Sequence, residues 1–152
     1  MNRRLVAMLP LALLAPAAVA AVEWRSTAVS IAGTVDGRPE SVLFAGKAQI
    51  LSRLALDPED SRRAKILLQI DLSGITGVGS STRTSYVVQA QEIVTRRLAP
   101  SDVIELTFAF HASNVRAVGS SRTGVATFAL SFDIATGAVT GGRAKIGSPS
   151  FG

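Results

Sequence analysis

Apolar residues recur at every second position in four separate stretches of this chain, and that period leaves few folds open. Val42, Phe44, Ala48 and Ile50 alternate with Leu43, Ala45, Lys47 and Gln49. Ile66, Leu68, Ile70 and Leu72 alternate with Lys65, Leu67, Gln69 and Asp71. Ile104, Leu106, Phe108 and Phe110 alternate with Val103, Glu105, Thr107 and Ala109. Ala126, Phe128, Leu130 and Phe132 alternate with Thr127, Ala129, Ser131 and Asp133. Successive side chains of a strand point to opposite faces, so each stretch packs its greasier face on a core. The pattern predicts an all-β domain of about seven or eight antiparallel strands. A sandwich and a small barrel both fit, and the sandwich is favoured.

Turn signals divide the strands. Asp36-Gly37-Arg38-Pro39 follows a first strand around Trp24–Ala32, and Asp57-Pro58-Glu59-Asp60 closes the second. Pro100-Ser101-Asp102 precedes the strand at Val103. Thr136-Gly137 reads as a tight hairpin with glycine at a positive-φ position, leading into a last strand over about Ala138–Ile146. The stretch Tyr86–Leu98 carries residues at both helical and strand spacing. Its β-branched and aromatic start favours strand.

Val78-Gly79-Ser80-Ser81-Thr82-Arg83-Thr84 recurs forty residues later as Val118-Gly119-Ser120-Ser121-Arg122-Thr123-Gly124. The flanking alternation stays in phase across that offset. An internal hairpin repeat over about 65–95 and 105–135 is therefore expected, with the two hairpins side by side or facing each other. Consecutive N–H groups of such Gly/Ser turns form a concave set of donors suited to an anion or glycan. Ser80, Ser81, Ser120 and Ser121 would supply hydroxyls, and Arg83 and Arg122 the charge. The spacing is not a P-loop, because no Gly-Lys-Ser/Thr ending follows.

The first twenty residues read as a secretory signal peptide. Arg3 and Arg4 form a positive start, Leu5 to Leu14 an apolar run, and Ala18-Val19-Ala20 a small-x-small cleavage site. The expected organisation is a signal over 1–20, one β-domain over 21–147 and a flexible tail over 148–152. The expected location is the bacterial periplasm or beyond. The run is too short to span a bilayer, and the few aromatics and charged outward positions argue against an integral outer-membrane barrel. The chain has no cysteine, so packing rather than disulfides must hold the domain.

Sixteen Lys and Arg against eleven Asp and Glu give a net charge of +5, with two of those cations in the leader. The cations are dispersed, which speaks against nucleic acid and leaves an anionic surface or a protein as the expected partner. His111 is the single histidine, in phase with the outward residues of its strand. One histidine and no cysteine exclude a His/Cys zinc site, and the Asp57–Asp60 cluster lacks the ligand spacing of a calcium loop. No Gly-x-Ser-x-Gly elbow or carboxylate pair stands out, so no catalytic residue, metal ligand or cofactor is assigned. Trp24 reads as a core plug.

These features point first to a non-catalytic exported domain that acts as a surface, structural or protein-interaction module, with homo-oligomers as one form of assembly. The alternative is a periplasmic binding protein for an apolar or amphipathic small molecule. A small secreted hydrolase built on Ser, His and Asp ranks third. The first two readings differ physically: a carrier needs a cavity lined by Phe44, Phe108, Phe110, Phe128 and Phe132, whereas an interaction subunit needs a filled core and an uncovered strand edge.

Overall fold

All four alternating stretches are strands, and each buries the face its pattern marks as the greasier one. The computed structural model describes residues 23–56, 59, 63–115 and 121–150. The predicted signal segment, Ser120 and most of the Asp57–Asp60 turn lie outside the described residues. The strands are β1 (Arg25–Val35), β2 (Val42–Ala55), β3 (Lys65–Asp71), β4 (Ile75–Gly79), β5 (Ser85–Val88), β6 (Gln91–Arg97), β7 (Ser101–Ala112), β8 (Arg122–Phe132) and β9 (Val139–Gly147). The all-β reading holds throughout the described residues, and Tyr86–Leu98 is strand rather than helix, divided into β5 and β6.

The nine strands form one sheet in the order β1-β9-β8-β7-β5-β4-β2-β3-β6, with a further pairing of β1 to β2. That pairing returns the ladder on itself through seven strands. Closure removes the edges of β1 and β2. Every pair is antiparallel except β1 with β9, which run parallel at Ile31, Ala32 and Gly33. The parallel pair departs from the all-antiparallel expectation. It arises because the chain completes the ring by bringing its last strand beside its first, in the same direction.

The strand count exceeds the expected one because two long strands are interrupted. β4 and β3 pair in turn with the two halves of β2, Val42–Gly46 and Gln49–Ala55. Between them the chain turns briefly, with the Ile75 N–H donating to the Leu72 carbonyl at 3.1 Å. β5 and β6 follow the same break one strand further on. The hairpins β4–β5 and β7–β8 stand side by side, joined by a short β5–β7 ladder from Tyr86–Val88 to Phe110–Ala112. Their turns differ in length: residues 80–84 link the first pair and residues 113–121 the second.

A cluster of aromatic rings lies in the interior. Phe110 and Phe128 are fully buried, and Phe44 packs edge-on against Phe110 at 4.9 Å and Phe108 at 5.8 Å between ring centroids. Tyr86 meets Phe110 edge-on at 5.9 Å. Offset and edge-to-face geometries of this kind add to the area buried. The β8–β9 turn uses Gly137 at φ 71° as expected, with its N–H donating to the Asp133 carbonyl at 2.7 Å. Trp24 is not a core plug: it is 39 % exposed, with the Arg53 guanidinium 4.7 Å above its ring. A tryptophan one residue before the sheet begins has no opposing strand to pack beneath, and a cation covers its face instead.

Candidate functional site

The Gly/Ser turn at residues 80–84 does form a nest of donors, and the anion in it belongs to the chain itself. Glu40 is buried, and its carboxylate enters the turn from the β1–β2 connection. The Ser81 and Thr82 N–H groups donate to Oε2 at 2.8 and 2.9 Å. The Thr82 hydroxyl donates to Oε1 at 2.5 Å and the Tyr86 hydroxyl to the same atom at 3.2 Å. Gly79 makes the room, since a Cβ there would lie 2.1 Å from Oε1. The donated bonds, led by the Thr82 hydroxyl and N–H, hold the Glu40 carboxyl down at about 2 from 4.5, against burial acting the other way. Burial first, and then the neighbouring Glu40 carboxylate, push the Tyr86 phenol above its ordinary value.

The residues expected to contact an external anion are thereby distributed over different tasks. Arg122 donates to the Glu40 backbone carbonyl at 2.8 Å and lies 5.1 Å from the Phe110 ring centre, so it closes this end of the core. Ser81 contributes its N–H to Glu40, and the Ser80 N–H donates to the Ser41 carbonyl at 2.9 Å. Arg83 is exposed, at φ 60°, and turns the chain back toward β5. Ser121 is exposed just before β8. The arrangement joins two loops over one end of the ring. Nothing in the sequence marked Glu40, because its partners come from a turn forty residues away.

The other feature with chemistry to offer is the seam between β6 and β7. Among the described residues, β6 is the terminal strand of the sheet and pairs with β3 alone. The hydrogen bonds from Leu98 N–H to Ala64 O (3.0 Å) and from Leu72 N–H to Ala90 O (2.9 Å) bracket that ladder in one register. In an antiparallel ladder the bonded positions alternate. The even residues of β6 therefore bond to β3, and the N–H and C=O groups of Gln91, Ile93, Thr95 and Arg97 point away from it. By the same alternation, set by Phe132 N–H to Pro100 O (2.9 Å), the odd residues of β7 face away from β8. β5 covers only the last of these, from Phe110 to Ala112.

Across the seam runs one side-chain clamp. Arg96 Nε donates to Asp102 Oδ2 at 2.8 Å, and its NH2 reaches Asp102 Oδ1 at 3.3 Å and the Val103 carbonyl at 3.1 Å. Asp102 Oδ1 in turn accepts the Val103 N–H at 2.8 Å. The clamp thus satisfies both backbone groups of Val103 on the β7 edge. The hydrogen bonds from Arg96 are the main cause of the lowered Asp102 carboxyl, and Asp102 raises Arg96 in return.

β6 is open to solvent on both faces. Its cross-strand partners Ile66, Leu68 and Ile70 place Arg96, Val94 and Glu92 on the core side, yet only Val94 is partly buried. On the outer side Ile93 is 66 % exposed. Charges in core-side positions of an edge strand restrict which strands can pair there. His111 sits on the outer face opposite Val87, remote in register from this seam. Comparison of the chain with protein-family models, curated proteins and solved structures finds no match.

Proposed function

We propose that this chain is an exported, non-catalytic β-domain that acts as a protein-interaction module, receiving an extended segment in the seam between β6 and β7. One observation carries the reading: among the described residues, β6 ends the sheet with four residues whose backbone donors and acceptors face away from β3, toward a β7 edge with which it forms no ladder. A docked strand would take its affinity from those main-chain groups and its specificity from Glu92 and Arg96 on one face and Ile93 on the other. The carrier alternative draws less support, because Phe44, Phe108 and Phe110, three of the five phenylalanines that would line its cavity, pack against one another.

Thr95→Pro tests the proposal. It deletes an N–H that the β3 ladder does not use, and proline is tolerated at such edge positions. Immobilised wild-type protein should retain a partner from the exported fraction of the producing cells, and Thr95→Pro should not. Adding that partner should also slow amide exchange at Ile93 and Thr95. Equal retention by the two proteins, or protection confined to other strands, overturns the reading.

A further inference from the structure

We propose that the end of the ring where the chain enters β1 is a membrane-contact surface, on which Trp24, Leu56 and Ile134 enter the headgroup region of an anionic bilayer. This surface is separate from the β6–β7 seam and adds a second partner, a lipid surface, to the proposed function.

The three apolar side chains come from three separate segments that meet at one end of the sheet. β1 starts there and β2 ends there, since Arg25 pairs with Ser52 and the chain runs on from Ala55 to Leu56. Trp24 lies one residue before β1, with the Arg53 guanidinium on its ring. The β8–β9 turn folds across the same end: a Cβ on Gly137 would lie 3.0 Å from Leu54 Cγ. Ile134 belongs to that turn, which the Gly137 N–H closes onto the Asp133 carbonyl. Leu56 and Ile134 are more than half exposed and Trp24 is 39 % exposed, so this end presents apolar tips to its surroundings. Clustered exposed apolar side chains of this kind mark a contact surface.

The occupant follows from chemistry and from the path of the chain. Tryptophan favours the boundary between lipid and water, where its ring is apolar-solvated and its N–H stays wet. The guanidinium on Trp24 has the fork geometry that suits phosphate, and its Nε has no hydrogen-bond partner. Arg25 is exposed at the same end, as is Arg97, whose cross-strand partner Lys65 lies opposite Ala55. Among the described residues, none of these three arginines pairs with a carboxylate. Anionic headgroups would supply the acceptors, and each cation near such a surface adds to binding. Trp24 is also the fourth residue after the expected cleavage site at Ala20. Four extended residues span at most about 14 Å, so the export leader delivers this end of the domain to the bilayer surface.

The single tryptophan of the chain is itself the reporter. Vesicles of phosphatidylglycerol and phosphatidylcholine, added to the exported protein, should shift Trp24 emission to the blue, and brominated acyl chains should quench it. Leu56→Asp and Ile134→Asp change side chains that the core does not use. Each should lower vesicle partitioning about tenfold, the loss expected when one apolar side chain no longer enters the lipid boundary. Leu43→Asp, at an exposed position near the other end of β2, should leave partitioning unchanged. Emission unmoved by vesicles overturns the proposal. So does wild-type partitioning by Ile134→Asp and Leu56→Asp, or its loss in Leu43→Asp. The β6–β7 seam is tested apart from this surface, by the Thr95→Pro capture, which needs no lipid.

Discussion

Proline placed at successive positions of β6 should alternate in its effect. Glu92 and Ile93 are the informative pair, because both side chains are exposed and their removal costs little. The Glu92 N–H faces β3 opposite Ile70, a fully buried residue. Glu92→Pro removes that ladder bond, worth about 1 kcal/mol, and strands the Ile70 carbonyl, at about 1–3 kcal/mol. The total comes to about 2–4 kcal/mol. The Ile93 N–H faces away from β3, so Ile93→Pro loses no ladder bond and should cost about 1 kcal/mol for fitting the ring. Urea unfolding resolves the two. With a slope of about 2 kcal/mol per molar, Glu92→Pro should lower the midpoint by about 1–2 M and Ile93→Pro by about 0.5 M. Equal shifts, or the larger shift at Ile93, would refute the assignment of the outward-facing groups and with it the docking edge.

Two further perturbations probe the rest of the fold. Because the Glu40 carboxyl titrates lower in the folded chain than when unfolded, its contribution is complete above about pH 4.5 and is lost as pH falls toward 2. Urea midpoints measured down that range should fall for the wild-type protein and fall less for Glu40→Gln; parallel curves would show that the nest does not hold the ionised form. Phe110→Ala empties a fully buried site shared by Phe44, Phe108 and Tyr86, and should cost on the order of 3–5 kcal/mol in the same assay, whereas a loss below about 1 kcal/mol would mean that the ring is not at the centre of the core.

The fold was legible where side-chain period alone decides it. Val42–Ile50, Ile66–Leu72, Ile104–Phe110 and Ala126–Phe132 each carry a two-residue period that holds whatever strand lies beside them, and each buries the marked face. The turn at Gly137 was legible for a similar reason, since its positive φ is a local demand. Strand order was not. The parallel contact of β1 with β9 joins residues over a hundred positions apart, and no local pattern encodes which edge a last strand will take. The Gly/Ser turn illustrates the same limit. Its residue types announced a set of anion donors, but the choice of Glu40 as the anion was made by topology.

The ambiguity of Tyr86–Leu98 in the sequence has a physical source that bears on function. A strand buried on one face would show apolar residues at 92, 94 and 96, and this one shows Glu92, Val94 and Arg96. Those two charges weaken the alternation that identifies a strand, because β6 lies at the end of the sheet with its core-side face in solvent. Arg96 then finds Asp102, and the clamp holds β7 beside β6 with no ladder between them. An edge left open and lined with apolar residues would pair with any strand it met. The residues that obscured the strand in the sequence are therefore the ones that would make its edge selective.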